Sequence, residues 1–73
     1  MLRSYQLILE LEDEGYNFDK VMNTLDEFIN DLNLSAVCEQ FINDEPLSAD
    51  ELGLLDMAFT LFYWKEFKKT VKY

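Results

Sequence analysis

The stretch "LGLLDMAFTLFYWKEF", residues 52–67, decides the fold of this 73-residue chain. Of its first thirteen positions only Gly53, Asp56 and Thr60 are not apolar. Read as a helix, it carries two neighbouring apolar stripes, and its narrow polar strip continues into three aromatic residues, Tyr63, Trp64 and Phe67. A helix that is apolar nearly all round is enclosed by its own domain, by a partner or by a membrane. We therefore expect a long and mostly buried helix.

A membrane is the weakest of these three surroundings. Thirteen residues at 1.5 Å each span roughly 20 Å, which is short of the ~30 Å hydrocarbon core of a bilayer. Asp56 also lies inside the run. We expect no membrane association.

The start of this helix is marked by the segment "PLSADELGLL". Ser48 and Glu51 have the spacing of a capping box, in which each side chain binds the other residue's backbone amide. Leu47 and Leu52 have the spacing of a hydrophobic staple. The pattern predicts a helix from Ala49 to about Val71.

Two more helices are predicted upstream. In "NFDKVMNTLDEFINDLN", residues 17–33, apolar residues recur at helical spacing while acids and amides occupy the other side. The apolar set is Phe18, Val21, Met22, Leu25, Phe28, Ile29 and Leu32. In "SAVCEQFINDE", residues 35–45, Ser35 is the expected N-cap and Pro46 the expected stop.

The first segment, residues 3–14, fits two periodicities. As a helix it has an apolar side and ends at Gly15; as a strand it alternates around Leu7 and Leu9. Three acids, Glu12 to Glu14, are unfavourable at a helix C-terminus, but a strand would have only "KKTVKY" at the other end of the chain to pair with. We therefore predict an all-α bundle of three to four helices in a single domain, residues 1–73. The alternative is an α+β fold with a short N-terminal strand paired to the C-terminal end.

Charge is distributed unevenly along the chain, whose net charge is −9. Residues 10–56 hold fourteen of the fifteen acids and one base, Lys20, whereas residues 65–73 hold four lysines and one acid. The acidic body would be repelled by phosphate backbones, and four lysines give too little counterion release for duplex binding. Direct binding to nucleic acid is not expected.

No set of residues suited to catalysis or to holding a metal or cofactor is recognisable. Histidine is absent, so Ser-His-Asp and Cys-His arrangements are excluded. We interpret Cys38 as a buried, inert thiol, because it lies on the apolar side of its helix. Glu10, Glu12, Glu14 and Gly15 begin a calcium-loop pattern, but its twelfth position is an apolar valine and not the bidentate acid. We expect neither an enzyme nor a cofactor.

The expected setting is the cytoplasm. The single cysteine cannot form an internal disulfide, which suits a reducing compartment. The N-terminal "MLRSYQLILELEDEG" makes a poor signal peptide, because Glu10 interrupts its short apolar run and no small-residue cleavage site follows.

What remains is binding to a protein. We expect a small acidic interaction module, a homodimer or a subunit, that docks through the aromatic end of its last helix. Its surface would comprise Tyr63, Trp64 and Phe67, with Lys65 and Lys68 at the rim.

A second hypothesis places function on the acidic side of the second helix. Asp19, Asp26, Glu27 and Asp31 would extend for roughly 18 Å at 1.5 Å per residue and could occupy a basic cleft by imitating nucleic acid. In size and charge the chain resembles small acidic inhibitors encoded by phages and plasmids. This resemblance would imply an inhibitor of a nucleic-acid-binding protein.

Overall fold

The computed structural model describes residues 2–72, and it is helical. The α-helices are α1 (Arg3–Leu9), α2 (Phe18–Asp31), α3 (Ser35–Ile42) and α4 (Ala49–Phe67), and a 3-10 helix (Glu10–Glu14) follows α1. The predicted all-α bundle is confirmed. The alternative N-terminal strand is wrong, since residues 2–72 contain no strand.

The N-terminal segment is helical because it buries one side against α4. Tyr5, Ile8 and Leu11 point into the core. The three acids that argued against a helix lie in the 3-10 turn and not at the end of an α-helix, and the Lys69 ammonium donates a 2.7 Å hydrogen bond to Glu14. Gly15 ends the segment with a φ of 98°, a left-handed conformation that glycine adopts without strain.

The second helix follows its predicted pattern. The Asn17 side chain caps its first turn by accepting a hydrogen bond of 3.0 Å from the Lys20 amide. Val21, Leu25 and Ile29 are buried. The helix ends at Asp31, and Asn33 then turns the chain with a φ of 58°.

The third helix is shorter than predicted. Ser35 as its N-cap is wrong: Leu34 takes that position, and the Ser35 hydroxyl donates a 3.3 Å hydrogen bond to the Asn30 side chain instead. The helix ends at Ile42, before Pro46 is reached, and Asp44 adopts a φ of 59°. The left-handed turn at Asp44 therefore ends α3.

The capping box of α4 is confirmed. The Ser48 amide donates to Glu51 Oε1 at 3.0 Å, and the Glu51 amide donates to Ser48 Oγ at 3.1 Å. The helix ends at Phe67, short of Val71, because Lys68 turns left-handed at φ 55°. No helix within residues 2–72 has the length and hydropathy needed to cross a membrane.

The core forms around the inner side of α4. Phe59 and Phe62 are completely buried there, and the rings of Tyr5 and Phe59 lie 5.0 Å apart. The ring centres of Phe28, in α2, and Phe62 lie 5.6 Å apart. α4 thus packs against α1, α2 and α3 along one side and leaves its opposite side uncovered.

Candidate docking face on the last helix

The uncovered side of α4 is apolar. Four large side chains on it are exposed to solvent: Leu54 (51%), Met57 (71%), Leu61 (48%) and Trp64 (51%). They recur at intervals of three and four residues, so they form one stripe along three turns of the helix. We call this stripe, with the two charged residues that end it, the α4 face.

The ends of the α4 face carry opposite charges. Asp50 precedes Leu54 by four residues on α4, and Lys68, the left-handed residue that ends the helix, follows Trp64 by four. Both charged side chains are exposed. The Lys68 ammonium lies 5.5 Å from the centre of the Trp64 ring, within the range of a cation–π contact. The face therefore runs from an acid, through four apolar residues, to a base.

An apolar groove opens in the middle of this face. It has a volume of about 530 Å³, and it is lined on α4 by Leu54, Met57, Ala58 and Leu61. Leu32 and Leu34, at the end of α2 and in the following turn, form its side wall. Positions i, i+3, i+4 and i+7 of one helix are the four that surround an inserted side chain in knobs-into-holes packing. Ala58 is small and buried, which leaves space at the floor of the groove.

The structure separates the three aromatic residues that the sequence placed on one surface. Trp64 is exposed, but Tyr63 is only 5% exposed and Phe67 is partly buried. Phe67 packs against Tyr16 with ring centres 5.0 Å apart. Of the three aromatic residues, the structure therefore places only Trp64 at an exposed position. Burial, and secondarily the Glu14 carboxylate, raises the pKa of Tyr63 above its ordinary value.

The two predicted rim lysines remain at the surface. Lys65 is exposed and its ammonium lies 5.9 Å from the centre of the Phe28 ring, while Lys68 lies over Trp64. Both are close to the Trp64 end of the α4 face.

Sequence reasoning missed the central residues of the face. It predicted two neighbouring apolar stripes on this helix and gave Met57 no role, and it counted Leu32, which is 43% exposed, in the apolar set of α2. The signal that could have found them is the alternating spacing of four and three residues from Asp50 to Lys68.

The acidic side of α2 is also exposed. Asp19, Asp26, Glu27 and Asp31 are all exposed, although Asp26 lies at the edge of this side, next to Ile29 and Cys38. Within residues 2–72 the ion pairs shorter than 4 Å are Arg3–Glu10 and Lys69–Glu14. Neither of these pairs involves the four carboxylates of α2.

Cys38 carries the one thiol of the chain, and it is buried. Burial, and secondarily the nearby Asp26 carboxylate, raises the pKa of the Cys38 thiol, which disfavours the reactive thiolate. In the described part of the chain, no three side chains of the types that bind metals are grouped closely enough to hold an ion.

Comparison of the chain with protein-family models, curated proteins and solved structures finds no match.

Proposed function

We propose that this protein is a non-catalytic protein–protein interaction module that docks through the α4 face. The observation that carries the proposal is the unbroken exposed stripe of Leu54, Met57, Leu61 and Trp64. Single exposed apolar residues are common on proteins, whereas contiguous ones mark sites where another surface binds.

The stability of the fold does not account for this stripe. The core uses the other side of α4, through Leu55, Phe59 and Phe62, and polar residues on the outer side would leave that core unchanged. Covering apolar surface is worth about 25 cal/mol per Å². A partner that covers the stripe would gain this free energy, which the single chain leaves unused.

The chemistry of the face defines the partner class. The expected partner is a protein whose surface has an apolar ridge that fills the groove beside Ala58. Its charges complement Asp50 at one end of the face and Lys68 at the other. Trp64 would be the main anchor, since tryptophan is enriched among the residues that dominate binding energy. A cytoplasmic setting suits the unpaired Cys38 thiol.

Site-specific photo-cross-linking tests the proposal. A benzophenone amino acid replaces Met57 on the face, and in the matched control it replaces Asn23, which is exposed on the polar side of α2. On irradiation in an extract of the native cells, we expect a discrete protein adduct from position 57 and none from position 23. Leu61→Glu should remove the adduct. Equal labelling from both positions, or none from either, would contradict docking through this face.

The acidic side of α2 supports a second candidate, an inhibitor that imitates nucleic acid. The observation in its favour is that Asp19, Asp26, Glu27 and Asp31 are all exposed and form no short ion pair within residues 2–72. Exposed acids also serve solubility, so this candidate ranks second.

Charge reversal distinguishes the two candidates. For the inhibitor, Asp26→Lys combined with Glu27→Lys should abolish capture of the partner, and both duplex DNA and added salt should displace it, because exposed charges act over a Debye length of about 10 Å at 0.1 M. Leu61→Glu should leave that capture unchanged. Capture that withstands salt and DNA but is lost in Leu61→Glu would reject the inhibitor and favour the α4 face.

A further inference from the structure

We infer that a second copy of this chain occupies the α4 face, with the two α4 helices side by side and antiparallel. The inference rests on the proposed function, because it names the partner of the same face. Three features of the face support it: the order of its charges, the pairing of its side chains and the shape of its groove.

The order of charges selects an antiparallel pair of identical helices. Asp50 lies at the start of the face and Lys68 at its end. When the two copies run in opposite directions, Asp50 of each copy meets Lys68 of the other, so both ends of the contact are complementary. A parallel pair would instead bring two aspartates together at one end and two lysines at the other.

The same register pairs every apolar residue of the face. Centred on position 59, it sets Leu54 opposite the second copy's Trp64 and Met57 opposite the second copy's Leu61. The pairs repeat in reverse order on the other side of the centre. The face is thus self-complementary, as the two-fold contact of a homodimer requires.

The groove accepts a side chain in this register. In this register the second copy's Leu61 reaches the height of the groove along α4. There it is surrounded by the walls of the groove, Leu54, Met57 and Leu61, and by Ala58 at its floor. By symmetry, Leu61 of the first copy enters the groove of the second. Leu32, 43% exposed on the groove's side wall, adds apolar surface beyond the helix pair itself.

Disulfide trapping in the purified protein tests the register. The variants Leu54→Cys and Trp64→Cys are made in a Cys38→Ala background and oxidised separately and as a mixture. Two identical positions five residues from the centre lie about 15 Å apart along antiparallel helices at 1.5 Å per residue, too far for a disulfide. We expect covalent dimer from the mixture and none from either variant alone. The same variants with Cys38 retained repeat the test if the background substitution impairs folding.

Sedimentation equilibrium tests the association itself. The wild-type chain should be a dimer at high concentration, and Met57→Glu should be a folded monomer at the same concentration. Asn23→Glu is the matched control, since it adds the same charge at an exposed position of α2 and should remain dimeric.

Three results would overturn the inference: a wild-type monomer at every concentration, equal dimerisation of the wild-type chain and Met57→Glu, or covalent dimer from Leu54→Cys alone, which indicates a parallel pair.

These results are distinct from a failure of the proposed function. Cross-linking from position 57 to another protein of the native cells, by a chain that is monomeric when pure, would keep the interaction module and reject the second copy.

Discussion

The hydroxyl of Ser4, in α1, donates a 2.5 Å hydrogen bond to the carboxylate of Asp56, in α4, across 52 positions of sequence. Ser4 is completely buried and Asp56 is half-buried. The bond joins the first helix to the polar strip of the last one. It helps to fix the rotation of α4 about its own axis, and therefore helps to turn Leu54, Met57 and Leu61 outward.

Replacement of Ser4 by alanine should destabilise the fold. Hydrogen bonds to charged groups contribute about 1.5 to 3 kcal/mol, and the variant leaves the Asp56 carboxylate without this donor. The matched control is Ser35→Ala, which removes only the exposed 3.3 Å hydrogen bond to Asn30 and should change the free energy of unfolding by less than about 0.5 kcal/mol. Urea unfolding at one protein concentration measures both. Equal midpoints for the two variants would show that the Ser4–Asp56 bond contributes nothing.

The two glycines should respond to alanine in opposite directions. A Cβ atom added at Gly53 meets nothing within 4 Å, and the residue is inside α4, so Gly53→Ala should stabilise the fold by about 0.5 to 1 kcal/mol. Gly15 also has space, but its φ of +98° is strained for any residue with a Cβ. Gly15→Ala should therefore destabilise by about 1 to 2 kcal/mol. Thermal unfolding measures both effects. A shift of Tm in the same direction for both variants would refute the strain assigned to a side chain at position 15.

Alkaline pH should weaken the fold through Cys38. Because burial raises the thiol pKa above its ordinary value of 9.0, the folded chain keeps a proton that the unfolded chain loses above that pH. The free energy of unfolding should therefore fall as pH rises above 9, by at most about 1.4 kcal/mol per pH unit for one group. The buried phenols of Tyr5 and Tyr63, whose pKa values are also raised, act in the same direction above pH 10.

The variant Cys38→Ala isolates the contribution of the thiol. Its urea midpoint should change less than that of the wild-type chain between pH 8.5 and about 9.5. Parallel pH dependence in the two proteins would mean that the thiol ionises as readily in the folded state as in the unfolded one.

Much of the fold could be predicted from local patterns. α2 has one apolar side, and the start of α4 carries a capping box, so each signal lies within a few residues of the structure that it predicts. Residues 3–14 were ambiguous because a short segment fits both periodicities, and the outcome depended on packing against α4. The ends of α3 and α4 depend on left-handed residues, Asp44 and Lys68, that composition does not mark.

The candidate site could be predicted only in part, for a physical reason. α4 is apolar on nearly every side, so its periodicity does not determine which side enters the core. That choice depends on long-range contacts, including the Ser4–Asp56 bond and the packing of Tyr5 on Phe59. Trp64 and Tyr63 are neighbours in the sequence, yet one is exposed and the other is buried, and nothing in the local pattern distinguishes them.

The emission of Trp64 on dilution tests the central claim, that a second copy covers the α4 face, most directly. This residue is the only tryptophan of the chain, and it is 51% exposed in the single copy. If the second copy's Leu54 covers it, emission should be blue-shifted at high concentration and should move to the red on dilution, with a midpoint that matches dissociation by sedimentation. Met57→Glu should emit to the red at every concentration. Wild-type emission that does not change with concentration, and equals that of Met57→Glu, would contradict the claim.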